Sequence, residues 1–328
     1  MRNYRSLSLD EVAKKIKDAK NPVIAIHRSP DGDAVGSAMG LSLILRALGK
    51  KAEYICADKI PERLSFVSDG LDYASGDLDG RDIICVDIAS PSQLGKLAET
   101  EPKSKTPYLM IDHHAIGEVF ADSYIIPEAC ATGEIIYDIA ERMASLGYID
   151  EITPEMASAL YAAISSDSGC FRFSNAKSHT HIVAARLIEK GIDTAEINRL
   201  LFDSKTEAQL KAEGLTLNKM QSLFGGRLAL ACITKNDRDT LGLKFEDFET
   251  AIDIVRSLRG VEISAVIKEQ DDGTYKASLR SVGADVASVC AKFGGGGHIR
   301  AAGCSVAAKS EDEAINKIIT ALKDALTH

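Results

Sequence analysis

Short apolar segments alternate with helix-forming segments through the first half of the chain, and no other feature of the sequence constrains the fold as strongly. The apolar segments lie at 22–27, 52–57, 82–89 and 107–114. Continuous apolarity is typical of central strands in a parallel sheet that is covered on both faces. Helical patterns lie between and after these segments, at 36–49, 133–147, 154–166 and 179–191. The alternation predicts a doubly wound α/β domain with a mainly parallel sheet.

A second, smaller α/β domain is expected downstream. A chain of 328 residues is long for one hydrophobic core, so two domains are the default expectation. Strand patterns at 227–234, 261–267 and 275–281 are followed by an amphipathic helix near the end of the chain. We assign residues 1–190 to the first domain, 191–224 to a helical linker, and 225–328 to the second domain.

Charge and cysteine content narrow the expected partners. The net charge is -9, which argues against a protein that grips long duplex nucleic acid. No window approaches the ~18 consecutive apolar residues of a membrane span, and the first residues lack the pattern of a signal peptide. The seven cysteines show no paired spacing, so we expect reduced thiols and a cytoplasmic location, not disulfides or a zinc site.

Acidic and imidazole residues gather where the predicted strands end. Because the carboxyl ends of strands frame the ligand crevice of an open α/β sheet, we expect these side chains to converge. The candidates are His27, Asp31, Asp33, Asp87, Asp112, His113, His114 and Asp167.

Each of these residues also has a purely structural interpretation. A single histidine such as His27 at a strand end is usually structural, and an Asp-x-Asp pair after a strand is commonly a turn or a helix cap. The run 112–114 is harder to explain in that way, because buried charges without a partner are costly. Taken together, the candidates favour a metal site.

The types of ligand indicate which ions would bind. Carboxylates and imidazoles without thiolates favour Mn²⁺ or Mg²⁺ over Zn²⁺. Six of these eight residues as ligands are too many for one ion, and two ions about 4 Å apart would suit phosphoester hydrolysis. We therefore expect two divalent ions, with Mn²⁺ as the first choice and Mg²⁺ as the alternative.

A glycine run at 293–303 (FGGGGHIRAAG) is a second candidate site. Without Cβ atoms, its main-chain N–H groups could approach phosphate or sugar oxygens, although a flexible turn would show the same pattern. Arginines near strand ends could bind the same phosphate. The substrate-binding candidates are Arg172, Arg280, Ser281, Gly295, Gly296, Gly297, His298 and Arg300.

Six motifs in this order resemble the DHH/DHHA1 phosphoesterase superfamily, and the resemblance covers almost the whole chain. The motifs are HRSPDGDAVGS from His27, VDIAS with Asp87, DHH at 112–114, SDSGCFRFSNA around Asp167, SLRS, and GGGGHIRAAG. Ser166 and Ser168 stand where threonines are common, which should not disturb metal binding.

The resemblance implies a role for each matched residue. One Mn²⁺ would be held by His27, Asp31 and Asp87. The second would be held by Asp33, Asp87 and His113, so that Asp87 bridges the pair, and Asp167 would complete one of the two coordination spheres. His114 would face the scissile phosphate and Asp112 would orient it. The second domain would bind the nucleotide through Arg280, Ser281, the glycine run and His298, across a cleft between the domains.

Branches of the superfamily differ in chain length and in accessory modules, such as an OB-fold or membrane-spanning and sensor domains. We do not find these modules in the sequence. The chain resembles the compact bacterial enzymes that hydrolyse short oligoribonucleotides and 3′-phosphoadenosine 5′-phosphate (PAP). Cyclic di-AMP or linear dinucleotide phosphodiesterases are the alternative, and a non-catalytic nucleotide sensor is the third possibility. The expected partners are short RNA or small nucleotides, with no long duplex and no membrane. A homodimer and the preferred substrate stay open.

Overall fold

The computed structural model describes residues 4–74, 78, 80–95 and 107–326. The chain divides into two compact units, which meet in sequence between Ser204 and Lys205. None of the helices within the described ranges is both long and apolar enough to cross a lipid bilayer.

The first unit is built on a six-stranded sheet with the order β3-β2-β1-β4-β5-β6. Its strands are β1 (Pro22–Ala25), β2 (Glu53–Ile55), β3 (Asp72–Tyr73), β4 (Asp82–Val86), β5 (Leu109–Asp112) and β6 (Ser123–Ile125). Every neighbouring pair is parallel. The doubly wound α/β prediction is therefore confirmed.

Both faces of this sheet are buried. Its helices are α1 (Leu9–Asp18), α2 (Gly32–Ala47), α3 (Ser65–Ser68), α4 (Thr132–Ser145), α5 (Pro154–Asp167), α6 (Ser178–Ile188) and α7 (Thr194–Asn198), with a π-helical turn at Arg199–Asp203. Ile24 and Ile84 pack in the large core that includes these helices, whereas Val23 and Cys85 pack on the opposite face, which includes Phe120. This burial on two faces explains the continuous apolar runs in the sequence.

The second unit contains another six-stranded sheet, with the order β11-β12-β10-β9-β8-β7. Its strands are β7 (Gln221–Leu223), β8 (Leu228–Ile233), β9 (Ile263–Glu269), β10 (Tyr275–Ser281), β11 (Gly296–His298) and β12 (Ala301–Val306). Its helices are α8 (Glu207–Lys219), α9 (Lys235–Leu241), α10 (Ala251–Arg256), α11 (Val286–Ala291) and α12 (Glu311–Leu326). β8 and β9 are parallel and the other pairs are antiparallel.

The helical stretch that we assigned to a linker, 191–224, is shared between the two units. Ile197 on α7 packs in the large core of the first unit. Ala212 on α8 packs in a core of the second unit. Each part therefore contributes to the core of one unit.

Candidate active site

The acidic and imidazole residues singled out in the sequence lie together at the carboxyl edge of the first sheet. His27 follows β1 by two residues, Asp87 directly follows β4, and Asp112 is the last residue of β5. In three overlapping groups the candidate ligand atoms lie within 4.8 Å of one another. The groups are His27, Asp31 and Asp87; Asp33, His113 and Asp167; and Asp87, His113 and His114.

His27 directs one ring nitrogen towards carboxylates. Its Nδ1 lies 2.7 Å from the carbonyl oxygen of Arg28. A carbonyl can only accept, so Nδ1 carries a proton and Nε2 presents its lone pair when the ring is neutral. Nε2 lies 3.4 Å from Asp87 Oδ2 and 3.8 Å from Asp31 Oδ1. Asp31 is also the N-cap of α2, since it accepts from the N–H groups of Asp33 and Ala34.

His113 repeats this arrangement in the second group. Its Nδ1 lies 3.3 Å from the carbonyl oxygen of Ala129, which again assigns the proton to Nδ1. Its Nε2 lies 3.7 Å from Asp33 Oδ2, 3.7 Å from Asp87 Oδ1 and 3.8 Å from Asp167 Oδ2. Both histidines therefore aim Nε2 at a cluster of carboxylate oxygens.

Asp87 is shared between the two groups. Its Oδ2 faces His27 and its Oδ1 faces His113. The residue is 2% exposed and has a φ of 60°, in the left-handed region that is uncommon for residues other than glycine. Such a conformation costs on the order of 1–3 kcal/mol and is concentrated at functional sites.

The crowding of these groups perturbs their ionisation. Burial opposes charging His27, but Asp31 and Asp87 outweigh it and raise the pKa of His27 to about 11. In the same way, Asp33 and Asp87 raise the pKa of His113 to about 9 against the effect of burial. Burial, with some relief from His113, raises the pKa of Asp167 to about 7.

The two buried aspartates shift in opposite directions. Burial and then the neighbouring Asp87 raise the pKa of Asp33 well above its usual range. Burial also disfavours ionisation of Asp87, but the histidines on both sides hold its pKa below the usual range.

Asp112 holds His114. Its Oδ1 lies 2.7 Å from His114 Nδ1 and also accepts the backbone N–H of His113 at 2.9 Å. Burial opposes charging His114, but Asp112 outweighs it and raises the pKa of His114. The pair is therefore arranged so that Nδ1 faces the carboxylate and the ring is held in one orientation.

The start of α4 contributes contacts that the sequence analysis missed. The backbone N–H groups of Thr132 and Gly133 donate to Asp33 Oδ2 at 2.7 Å and Oδ1 at 3.0 Å. The Thr132 hydroxyl donates to Asp87 Oδ1 at 3.0 Å. Ser37 donates to Asp33 Oδ1 at 2.9 Å. The available signal in the sequence was a polar residue, Thr132, directly before a predicted helix. That position does not indicate which carboxylates Thr132 contacts.

Asn175 was also missed, although it lies within a motif that we had noted. Its Nδ2 donates to the carbonyl oxygens of Cys130 and Asp167, both at 3.1 Å, and lies 3.4 Å from Asp167 Oδ2. Asn175 thereby links the end of α5 to the segment that precedes α4.

Arg172 belongs to the first unit but not to the three groups of candidate ligands. Its side chain is exposed, and its Nε donates to the carbonyl oxygen of Gly169 at 2.6 Å. Its guanidinium carbon lies 6.0 Å from the centre of the Phe202 ring. The arginine is thus held beside a tight turn that contains left-handed residues at 169–171.

Part of the glycine run forms an edge strand, which the sequence did not predict. Gly296 to His298 make β11, which pairs with β12. A Cβ on Gly295 would lie 2.2 Å from the carbonyl oxygen of Gly303, and one on Gly297 would lie 2.5 Å from that of Ala301. Backbone packing therefore requires glycine at these two positions, whereas a Cβ on Gly296 would meet open space.

Two of the basic candidates in the second unit share one row of its sheet. Arg280 is paired with Ala301, which is paired in turn with His298. Directly opposite residues project to the same face of a sheet, so both side chains point to one side. Ser281 and Arg300 each donate from their side chains to the carbonyl oxygen of Ala284, which orders the turn after β10.

Family models match both units of the chain. Residues 21–164 match the N-terminal domain of the DHH family. Residues 225–326 match the DHHA1 domain.

Sequence similarity along nearly the whole of this chain extends to proteins with named activities. The bifunctional oligoribonuclease and PAP phosphatase NrnA of Thermus thermophilus is 31% identical over 96% of this chain and 94% of its own length. The cyclic-di-AMP phosphodiesterase GdpP of Bacillus subtilis is 24% identical over 94% of this chain but only 48% of its own length. An exopolyphosphatase-related protein from Bacteroides fragilis has the same fold, with a TM-score of 0.86, 27% identity, and coverage of 96% of this chain and 95% of that one. The chain therefore belongs to the DHH phosphoesterase family and is a hydrolase that acts on phosphate esters.

Proposed function

We propose that this protein is a manganese-dependent phosphoesterase that removes nucleotides from short oligoribonucleotides and the 3′-phosphate from PAP. The T. thermophilus protein named for both activities matches nearly all of this chain and is itself nearly fully covered. Full-length similarity supports a shared substrate class better than a match confined to one domain.

The orientation of the His27 and His113 rings is the main structural support for the proposed metal centre. Histidines that bind metals usually donate their second ring N–H to a carbonyl or carboxylate, which turns the other nitrogen towards the ion. Both residues have Nδ1 at a backbone carbonyl and Nε2 among carboxylate oxygens. The carboxylates favour a positive charge at both rings, as the raised pKa values show, and a divalent ion at each group would take the place of the Nε2 proton. These nitrogen and oxygen donors therefore fit divalent ions.

The proposed ligands divide into two sets that share Asp87. His27, Asp31 and Asp87 would hold one ion, and Asp33, Asp87, His113 and Asp167 would hold the other. Oxygen and nitrogen donors without thiolates favour Mn²⁺ or Mg²⁺. Two such ions, when bound, polarise phosphate oxygens and acidify water.

His114 is the candidate for proton transfer. Hydrolysis forms a bond from the water oxygen to phosphorus and breaks the phosphorus–oxygen bond to the leaving group, whose oxygen then needs a proton. Because His114 Nδ1 faces Asp112, we assign Nε2 to the substrate. Asp112 raises the pKa of His114, so the ring keeps its proton to a higher pH than it would without that carboxylate.

The second unit would bind the nucleotide. Arg280 and His298 lie on the same face of its sheet, where they could bind a phosphate and a sugar or base. Gly296 leaves backbone atoms accessible beside them. Ser281 and Arg300 would order the adjacent turn, and Arg172 and the remaining glycines complete the proposed substrate-binding set.

Cyclic di-AMP hydrolysis is the second candidate. The B. subtilis phosphodiesterase matches 94% of this chain, so the same scaffold also occurs in an enzyme named for that substrate. The chain corresponds to about half of that relative.

A substrate panel tests the proposal. Purified protein with Mn²⁺ is incubated with 5′-phosphorylated RNAs of two to five nucleotides, PAP, cyclic di-AMP and a long RNA duplex. We expect the highest kcat/KM on the short RNAs and PAP, and little cleavage of the duplex. A higher kcat/KM on cyclic di-AMP would support the second candidate, and binding of PAP or RNA without turnover would indicate a sensor.

A further inference from the structure

We propose that Thr132 is a positioning residue that holds the two ligand sets of the metal centre in register. Its N–H donates to Asp33, which belongs to one set, and its hydroxyl donates to Asp87, which both sets share. This role rests on the proposed metal centre. Metal binding would therefore depend on a residue that does not itself contact an ion or the substrate.

The backbone contact comes from the way α4 begins. Ala131 is extended and caps the helix without a side-chain hydrogen bond, so the N–H groups that follow need other acceptors. Thr132 and Gly133 supply theirs to the two oxygens of Asp33. The positive end of the helix dipole also favours a negative charge at this position. The start of α4 therefore fixes the orientation of the Asp33 carboxylate.

The hydroxyl contact determines the orientation of Asp87. Thr132 Oγ1 lies 3.0 Å from Asp87 Oδ1, the oxygen that faces His113, and leaves Oδ2 facing His27. A carboxylate oxygen has two lone-pair directions, so accepting this bond leaves one direction for an ion. Rotation of the Asp87 carboxylate would break the bond with Thr132 and turn both oxygens away from their histidines.

The burial of Thr132 shows why a hydroxyl at this position needs an explanation. The residue is 0% exposed. Valine has nearly the same shape and would avoid burying a polar group, which is unfavourable unless the group is hydrogen-bonded. The hydroxyl donates a hydrogen bond to Asp87, so its benefit lies in holding that carboxylate.

Close helix packing brings Thr132 to this point. A Cβ on Gly133 would lie 2.5 Å from the Cβ of Ala163 on α5 and 3.4 Å from Ser37 Oγ on α2. Glycine at 133 thus allows the start of α4 to approach both helices, and Thr132 then reaches the carboxylates.

The test separates the hydroxyl of Thr132 from the rest of its side chain. Thr132→Val removes it at nearly constant shape, and Thr132→Ser retains it. Thr216→Val is the matched control, because Thr216 is also fully buried but bonds to its own helix through Ala212. Mn²⁺ binding to the metal-stripped full chain is measured by titration calorimetry, and folding is checked by circular dichroism and thermal unfolding.

We expect wild type, Thr132→Ser and Thr216→Val to bind two ions with similar affinity. Loss of a residue that orients a ligand typically weakens metal binding by about 10–100-fold, so Thr132→Val should fall in that range while its fold is retained. Excess Mn²⁺ should restore much of the activity of Thr132→Val, whereas it would not restore the activity of a misfolded protein. If Thr132→Val does not fold, Thr132→Ala and Thr132→Ser provide a second pair that differs by one oxygen.

Two results would overturn the inference, and they differ from each other. Unchanged Mn²⁺ affinity in folded Thr132→Val would show that the hydroxyl has no positioning role while the metal centre stands. Absence of Mn²⁺ binding to wild type would refute the metal centre itself, and the role of Thr132 with it.

Discussion

Replacing Asp87 with asparagine should abolish most of the activity while the fold is retained. Asparagine keeps the shape of the side chain and tolerates the left-handed φ of 60° better than most residues. It has one carbonyl oxygen where aspartate has two carboxylate oxygens. If that oxygen stays with Thr132 and His113, an NH₂ group faces His27 and excludes a cation there.

The size of the effect follows from this geometry. In either orientation of the asparagine amide, at least one ligand set loses an oxygen, and both lose negative charge. One ion contributes several kcal/mol to transition-state stabilisation. We expect a loss of at least about 4 kcal/mol, or roughly a thousandfold in kcat/KM.

The assay measures kcat/KM on PAP and on a 5′-phosphorylated dinucleotide with saturating Mn²⁺, together with metal content by mass spectrometry. Asp138→Asn is the matched control, since Asp138 also pairs with one histidine, His179, outside the candidate site. The control should retain two ions and full activity. Asp87→Asn activity within about tenfold of wild type, a deficit of ~1.4 kcal/mol, would refute the shared role of Asp87.

Three further predictions concern metal, substrate and stability. Exhaustive chelation should abolish activity and Mn²⁺ should restore it best; full activity in protein with confirmed metal removal would contradict the metal centre. His298→Ala should keep its metal content but lose orders of magnitude in kcat/KM on short RNA, and loss of manganese would show that His298 belongs to the metal site. Burial, with repulsion from Lys276, lowers the pKa of Lys268 to about 8. At pH 7 this lysine is charged in the folded and the unfolded protein, and the charge destabilises the folded state. Lys268→Met should therefore stabilise the protein by about 1–2 kcal/mol at pH 7. Urea titrations should show this gain shrinking between pH 8 and 10.5, and a gain that does not change with pH would contradict the assignment to charge burial.

Strand prediction succeeded where burial on both faces left a long apolar run. β1, β2, β4 and β5 lie within the predicted segments. β3 and β6 were missed because neither lies in a long apolar run, and both residues of β3 are exposed. β11 was missed for another reason: glycine has low strand propensity, and the strand exists because its backbone pairs with β12.

The membership of the candidate site could be predicted, but its internal geometry could not. Parallel strands of a doubly wound sheet end at one edge, so residues following β1, β4 and β5 had to meet. The sequence does not determine which oxygen of Asp87 faces which histidine, because that depends on side-chain rotation. Thr132 donates to carboxylates 99 and 45 positions away in the chain, and no local pattern carries such contacts.

Close packing of helices explains contacts in the candidate site that the hydrophobic periodicity of the sequence cannot predict. Asp33, Thr132 and Asp167 come from α2, α4 and α5, and only the mutual approach of these helices brings the three residues together. Two glycines set that approach: a Cβ on Gly36 would lie 2.6 Å from the carbonyl oxygen of Ala159, and one on Gly133 would lie 2.5 Å from the Cβ of Ala163. Glycine within a helix costs roughly 1 kcal/mol relative to alanine, so sequence reasoning treats both as weak points. In the folded protein these glycines allow the helix backbones to pack closely. One buried threonine can then reach carboxylates on separate elements.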